Sequence, residues 1–234
     1  MRLGVISALA EEQQGLIEAM EGPQSVLHGM REYTAGKLWK IDSVCVLSRI
    51  GKVAAAMTAA TLVEKFGVTH IVFTGVAGSA DFDVRVGDIV VAESLIQHDM
   101  DASPLFPRFE VPLTGLSRLP TDKEMSARLS AAVSRFLENE KNRTLHRGLI
   151  GSGDQFMSDP VKLAALKNAL PDLLAVEMEG AAVAQVCFEL GVPFGVIRTI
   201  SDNANEDAAM DFMHFVKHVA SRYAFHVIRN FCQA

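Results

Sequence analysis

The chain lacks most of the features that announce a function directly. No apolar run approaches the ~20 residues that a membrane-spanning helix needs. The first apolar stretch, Leu3 to Ala10, is short and runs into Glu11 and Glu12. It has neither the length of a signal-peptide core nor a small-residue cleavage site, so a cytoplasmic protein is expected. Cysteine is scarce: Cys45, Cys187 and Cys232 are scattered, odd in number and form no Cys-x-x-Cys pair. A disulfide framework is thereby disfavoured and a reducing compartment fits. Basic charge is not in excess, with 22 Lys and Arg against 28 Asp and Glu and a net charge of −6. That argues against a nucleic-acid or membrane-surface binder, which needs a basic patch. The dinucleotide pattern Gly-x-Gly-x-x-Gly is missing after the first strand. Ser152-Gly153-Asp154 is not set in the Gly-x-Ser-x-Gly pattern of a nucleophile elbow.

What is present suits a well-packed enzyme-sized domain. About half of the 234 residues are hydrophobic (49%) and 21% are charged, enough to bury a core and too few charges for disorder. Strand-like and helix-like stretches alternate. Leu3 to Ile6 reads as a buried strand, followed by a helix from Leu9 to Met20. Arg31 to Ile50 reads as two or three antiparallel strands, broken at Gly36 and Asp42-Ser43. Val53, Ala56, Met57, Ala60 and Val63 recur at helical spacing, predicting a helix over 52–66. Strands follow at 70–74, 88–95, 147–151, 173–176 and 194–200. Helices follow at 121–137, at 160–170 with Pro160 in its first turn, at 183–190 ending on Gly191, and along the C-terminus from Phe212. The stretch from Pro104 to Pro120 carries four prolines and no period, so it reads as a long loop, functional or disordered. The alternation predicts one α/β domain, residues 1–234, with a mostly parallel or mixed sheet covered on both faces.

Acidic residues gather at one structural level. Glu12 follows the first strand, Glu177 and Glu179 follow Val176, and Asp202 follows the strand ending at Ile200. Each lies just beyond the carboxyl end of a predicted strand, where open α/β sheets bind ligands. The Gly75-Val76-Ala77-Gly78 turn lies there too, and its glycines would let backbone N–H groups approach a ligand. Each feature alone also has a plain structural explanation. Glu12 suits a helix N-terminus, Asp202 suits a helix cap, Glu177 suits a solvated turn, and the glycines suit close packing. Two metal-like groupings are weaker. His214 and His218 are four apart with Asp211 near, but no zincin glutamate lies between them and no third ligand is evident. His98-Asp99-Met100-Asp101 would split its side chains between the two faces of a strand.

Several segments, in order, resemble the methylthioadenosine/S-adenosylhomocysteine nucleosidases of the purine-nucleoside phosphorylase superfamily. They are Gly4 to Glu12, Ile50-Gly51-Lys52-Val53, Thr74 to Gly78, Val86-Gly87-Asp88-Ile89-Val90, Gly151 to Phe156, Ala175 to Glu179, and Arg198 to Asp202. The resemblance implies a nucleoside phosphorylase-like three-layer α/β/α sandwich around a mixed, twisted sheet, assembled as a homodimer. It implies hydrolysis of the N-glycosidic bond of 5′-thio-adenosine nucleosides, with no metal and no cofactor. Asp202 is then the general acid supported by Ser201, Glu12 activates water, and Arg198 stands near. Glu179, with Glu177 and Met178 beside it, meets the sugar. Phe156 stacks on the purine, the Met157 backbone bonds it, and Ala77 and Gly78 lie alongside. Leu9, Ile50 and Phe212 wall the 5′ group. Two positions depart from the pattern: Val76 stands where some members carry serine, and Arg49 replaces a common glycine.

Three other functions are compatible with the same fold. A phosphorylase of this group carries a Gly-Asp-Pro-x-Arg stretch after the first strand to bind phosphate. This chain has Ser7-Ala8-Leu9-Ala10-Glu11-Glu12 there, and a glutamate would repel phosphate. A sister hydrolase acting on AMP or futalosine stays open because of Arg49. A binding protein without catalysis is disfavoured by Glu12, Glu179 and Asp202 occurring together.

Overall fold

A computed structural model describes residues 1–13 and 15–233, apart from the side chains of residues 217 and 218. Its strands are β1 (Arg2–Ser7), β2 (Glu21–His28), β3 (Arg31–Leu38), β4 (Ile41–Leu47), β5 (His70–Ser79), β6 (Ile89–Gln97), β7 (Leu119–Pro120), β8 (Leu145–Ser152), β9 (Leu173–Glu177) and β10 (Phe194–Asp202). Its helices are α1 (Ala10–Gln13), α2 (Lys52–Glu64), α3 (Lys123–Leu137), α4 (Pro160–Ala169), α5 (Gly180–Leu190), α6 (Ala208–Phe215) and α7 (Ser221–Cys232), with a π-helical turn, Val216–Ala220, joining the last two.

The strands form one mixed sheet in the order β10-β6-β8-β9-β5-β1-β4-β3-β2, with β7 beside β6. β1 pairs in parallel with β4 and β5, and β5 in parallel with β10. β10 runs antiparallel to β6, and β5 antiparallel to β9 at Gly78 and Ser79. Because β10 meets both β6 and β5, strands β5, β10, β6, β8 and β9 close on themselves. Sequence periodicity carries no sign of that closure.

Helices cover both faces, as the alternating pattern predicts. On one side Ala55, Ala59 and Leu62 of α2 and Ala181 to Ala184 of α5 pack on Ile6, Ile71 and Phe73. On the other, Met125, Leu129 and Val133 of α3 and Tyr223, Val227 and Phe231 of α7 pack on Leu3, Val5 and Val72. Fully burying such a side chain contributes about 1.5–3 kcal/mol, so these two seams hold the layers together. Asp122 caps α3 by accepting the Met125 N–H at 2.8 Å, and Asp159 caps α4 ahead of Pro160.

Several sequence expectations need correction. The expected helix over 9–20 is a single turn, Ala10–Gln13. Gly15, at φ +84°, stops it, although Leu16 and Met20 still reach the core. β2 is not anticipated by the sequence: all eight of its residues are exposed, so it has no apolar alternation to read. Gly75 to Gly78 is not a turn, because β5 continues straight through it to Ser79. The Pro104–Pro120 loop is largely irregular, but Phe109 folds back among Ile96, Leu166 and Leu173 with the Arg108 guanidinium over its ring. Leu105 of the same loop is exposed.

Candidate active site

The carboxyl ends of β1, β5, β9 and β10 open onto one cavity of about 320 Å³, within the size range of small-molecule sites. Leu9, Glu12, Ile50, Ala77, Gly78, Phe156, Met157, Glu177, Met178, Glu179, Ser201, Asp202 and Phe212 line it. Arg198 does not. Val76, which departs from the family pattern, also lines it, as do Ala8, Gln155 and Val176, which the sequence does not single out. They are apolar or amide residues flanking the predicted ones, with no chemical signature of their own.

Glu12 is buried, and its carboxylate folds back onto the chain. One oxygen accepts the N–H groups of Ala8 and Leu9 at 2.8 and 2.9 Å, and the other accepts that of Val76 at 3.1 Å. Burial raises its pKa above the ordinary value, against those bonds and the nearby Arg198 charge. Gly75 makes this placement possible: a Cβ there would lie 3.0 Å from the Glu12 carboxylate.

Asp202 ends β10, where the register against β5 shifts after Ile200. Such a bulge re-aims the following side chain. Its carboxylate accepts from Ser201 Oγ at 2.8 Å and from the Ala204 N–H at 2.9 Å. Burial pushes this carboxyl up as well, outweighing both bonds. A Cβ on Gly78 would stand 2.8 Å from the Asp202 carboxylate. The two glycines, both on β5, therefore make room for two acids from other elements.

Glu177 is buried rather than solvated. It pairs with Arg198, whose Nη2 lies 2.7 Å away, accepts the hydroxyl hydrogen of Ser152, and receives the N–H groups of Glu179 and Gly180 at the start of α5. Arg198 also donates to the Phe73 and Ile197 carbonyls, and its guanidinium lies over the Phe73 ring. It thus sits behind the acids instead of in the cavity. Glu179 accepts the Gly51 N–H at 2.8 Å. Burial, reinforced by the negative Glu177, raises its pKa.

The mouth is apolar. Phe156 and Phe212 meet edge to face with ring centroids 5.6 Å apart, and Ile50 is more than half exposed beside them. No loop residue from 103 to 109 lines the cavity. Among the described residues no cluster of three His, Cys, Asp or Glu side chains is placed to hold a metal. The His218 side chain lies outside the described residues. No described helix is long and apolar enough to cross a membrane.

Comparison with known proteins agrees with the geometry. The family model described as the phosphorylase superfamily matches residues 2–231. A 5′-methylthioadenosine/S-adenosylhomocysteine nucleosidase of Shewanella halifaxensis is 36% identical over 228 residues, 97% of each chain. The solved nucleosidase of S. pneumoniae with a transition-state inhibitor superimposes with a TM-score of 0.91 at 35% identity, covering 100% of this chain and 99% of that one. The nucleosidase of Colwellia psychrerythraea, in complex with adenine, gives a TM-score of 0.93 at 32% identity, covering 100% of this chain and 95% of that one. The chain belongs to the phosphorylase superfamily, within its methylthioadenosine/S-adenosylhomocysteine nucleosidase group.

Proposed function

We propose that this enzyme hydrolyses the N-glycosidic bond of 5′-methylthioadenosine and S-adenosylhomocysteine, and of 5′-deoxyadenosine, releasing adenine and the sugar. The reaction serves methionine salvage and the recycling of S-adenosylmethionine by-products. The observation that carries the reading is three buried carboxylates, Glu12, Glu179 and Asp202, around one cavity whose mouth is apolar.

The bond breaks through an oxocarbenium-like state, and a purine leaves poorly as an anion. Asp202, with its raised pKa, supplies the proton to the purine, and Ser201 orients it. That acid catalysis contributes about 10²–10⁴-fold. Glu12 holds and deprotonates the attacking water, whose oxygen bonds to the sugar's anomeric carbon as the purine departs. Glu179 binds the sugar hydroxyls, with Met178 against the ring. Phe156 stacks on the purine, which also hydrogen-bonds the Met157 backbone and lies along Ala77 and Gly78. Leu9, Ile50 and Phe212 surround the 5′ substituent. Glu177 and Arg198 act from behind: the pair fixes the start of α5, and the arginine's charge restrains Glu12.

Water rather than phosphate is the co-substrate. The amides of Ala8, Leu9 and Val76 would form an anion cradle, and the Glu12 carboxylate already occupies all three. A phosphate would have to displace it. The deciding experiment is product analysis on methylthioadenosine with and without phosphate. Adenine and free thioribose, at a rate indifferent to phosphate, are expected. A sugar phosphate would establish a phosphorylase, and turnover of AMP or futalosine alone would establish a sister hydrolase. The working unit is a homodimer in which Leu105 and Phe106 of one subunit approach the other's cavity. The three free, buried cysteines suit a cytoplasmic setting.

A further inference from the structure

Three sequence motifs play no part in the chemistry above: Gly51-Lys52, His98-Asp99 and Ser152-Gly153-Asp154. The fold brings them together beside Glu179. Lys52 Nζ donates to Asp99 at 2.7 Å and to the Gln97 side-chain oxygen at 3.1 Å. The other Asp99 oxygen accepts the Asp154 N–H at 2.9 Å. Asp154 accepts the Lys52 N–H at 2.8 Å, which closes a ring on the residue where it began. One residue back, the Gly51 N–H donates to Glu179.

This ring secures a junction that cannot secure itself. Gly51 caps α2 without a side chain to offer, so the helix's first N–H groups depend on carboxylates from other elements. Gly51 also has φ +99°, and a Cβ there would lie 3.2 Å from the Asp154 carboxylate. The Lys52 and Asp99 side chains are only 17% and 26% exposed, so the pair is not a loose surface contact. Burial would raise the Asp99 carboxyl, yet the bonds from Lys52 and the Asp154 amide hold it below its usual value. Among the described residues, Gly51 is the one hydrogen-bond donor to the Glu179 carboxylate.

We propose that Lys52, acting through Asp99 and Asp154, is a positioning residue that holds the Gly51 amide on Glu179 and thereby sets that carboxylate's aim at the sugar hydroxyls. Lys52 itself does not line the cavity. The proposal rests on the reading of Glu179 as the sugar contact.

The test compares kcat and KM on methylthioadenosine and on its 2′,3′-dideoxy counterpart, which offers Glu179 no hydroxyl. Parent, Lys52→Met, Lys52→Arg and Asp154→Ala are measured. Lys52→Met should raise KM and lower kcat/KM on methylthioadenosine by about 10–100-fold, the scale of loss when a positioning group is misplaced. Its kcat/KM on the dideoxy substrate should stay near the parent's. Lys52→Arg should recover part of the loss, because a guanidinium still reaches Asp99. Asp154 is exposed, so Asp154→Ala should fold even if Lys52→Met does not, and should show the same selective loss. Equal losses on both substrates, or no loss in Asp154→Ala, would overturn the proposal. A parent inactive on both nucleosides would instead overturn the function, and the positioning role with it.

Discussion

Replacing Asp202 by asparagine separates the chemistry of this site from its energetics. The aspartate accepts from Ser201 Oγ and from the Ala204 N–H, and Ser201 Oγ also lies 3.2 Å from the Ala77 carbonyl. An asparagine keeps all of this. Its oxygen accepts the Ala204 amide, its NH₂ donates to Ser201 Oγ, and the serine hydrogen turns to Ala77. No buried polar group is orphaned, so the usual penalty is avoided. Asp202's folded pKa is raised by burial. Its contribution to stability is therefore complete below its unfolded value, about 3.9, and is lost as pH rises through the folded value. The loss runs at about 1.4 kcal/mol per pH unit between the two values. Asparagine suffers none of it. The variant's Tm should thus gain on the parent's by a margin that grows as pH rises from about 4 through the folded value. Its kcat should fall about 10²–10⁴-fold, because no proton reaches the purine. Calorimetry across that pH range, with turnover on methylthioadenosine, measures both. A Tm difference flat with pH, or activity within a few-fold of the parent, would refute the assignment.

Three other perturbations follow from the same geometry. Glu12→Gln should abolish hydrolysis while methylthioadenosine still binds in equilibrium dialysis, since Glu12 is assigned to water and not to the base; unchanged turnover, or lost binding in a folded variant, would count against it. Arg198→Met strands the Glu177 charge in the core, so denaturant titration should register a loss of about 3–5 kcal/mol; a loss below about 1 kcal/mol would mean that the pair is not coupled as its 2.7 Å contact implies. Leu105→Asp should shift the protein towards monomer in sedimentation and reduce turnover on methylthioadenosine more than on adenosine; an unaltered dimer with an unaltered ratio removes this loop from the site.

The elements legible in the sequence are those with at least one buried face. The apolar period of α2 and the Pro160 start of α4 place those helices within a residue or two of their observed ends. β2 is illegible because it is exposed on both faces, and α1 is overextended because Leu16 and Met20 keep a helical spacing in a segment that Gly15 has already turned out of helix. At the site, the carboxylates show themselves by lying at strand ends. The glycines of β5 mislead, since Gly-x-x-Gly reads as a turn when the partners needing the space are far along the chain, at Glu12 and Asp202. The ring through Lys52, Asp99 and Asp154 cannot be read at all, because its members are 47 and 55 residues apart and only the pairing of strands brings them together.

Four buried carboxylates around one small cavity would ordinarily be a heavy burden on a fold, and among the described residues only Glu177 has a full counter-charge, in Arg198. The other three are eased in smaller ways. Glu12 takes three backbone amides, Asp202 a hydroxyl and one amide, and Glu179 one amide. Those bonds do not offset burial, and all three groups keep raised pKa values. The imbalance has a chemical use. On the proposed mechanism, a sugar that gains positive charge as the purine departs meets acidic groups already fixed in a buried pocket, and Asp202 becomes a carboxylate as it gives up its proton. The neutral ground-state nucleoside draws far less from them, so the stabilisation is spent mainly on the transition state. On this view Gly75 and Gly78 are as much a part of the mechanism as the acids beside them. A methyl group at either would push a carboxylate from the place where the charge develops.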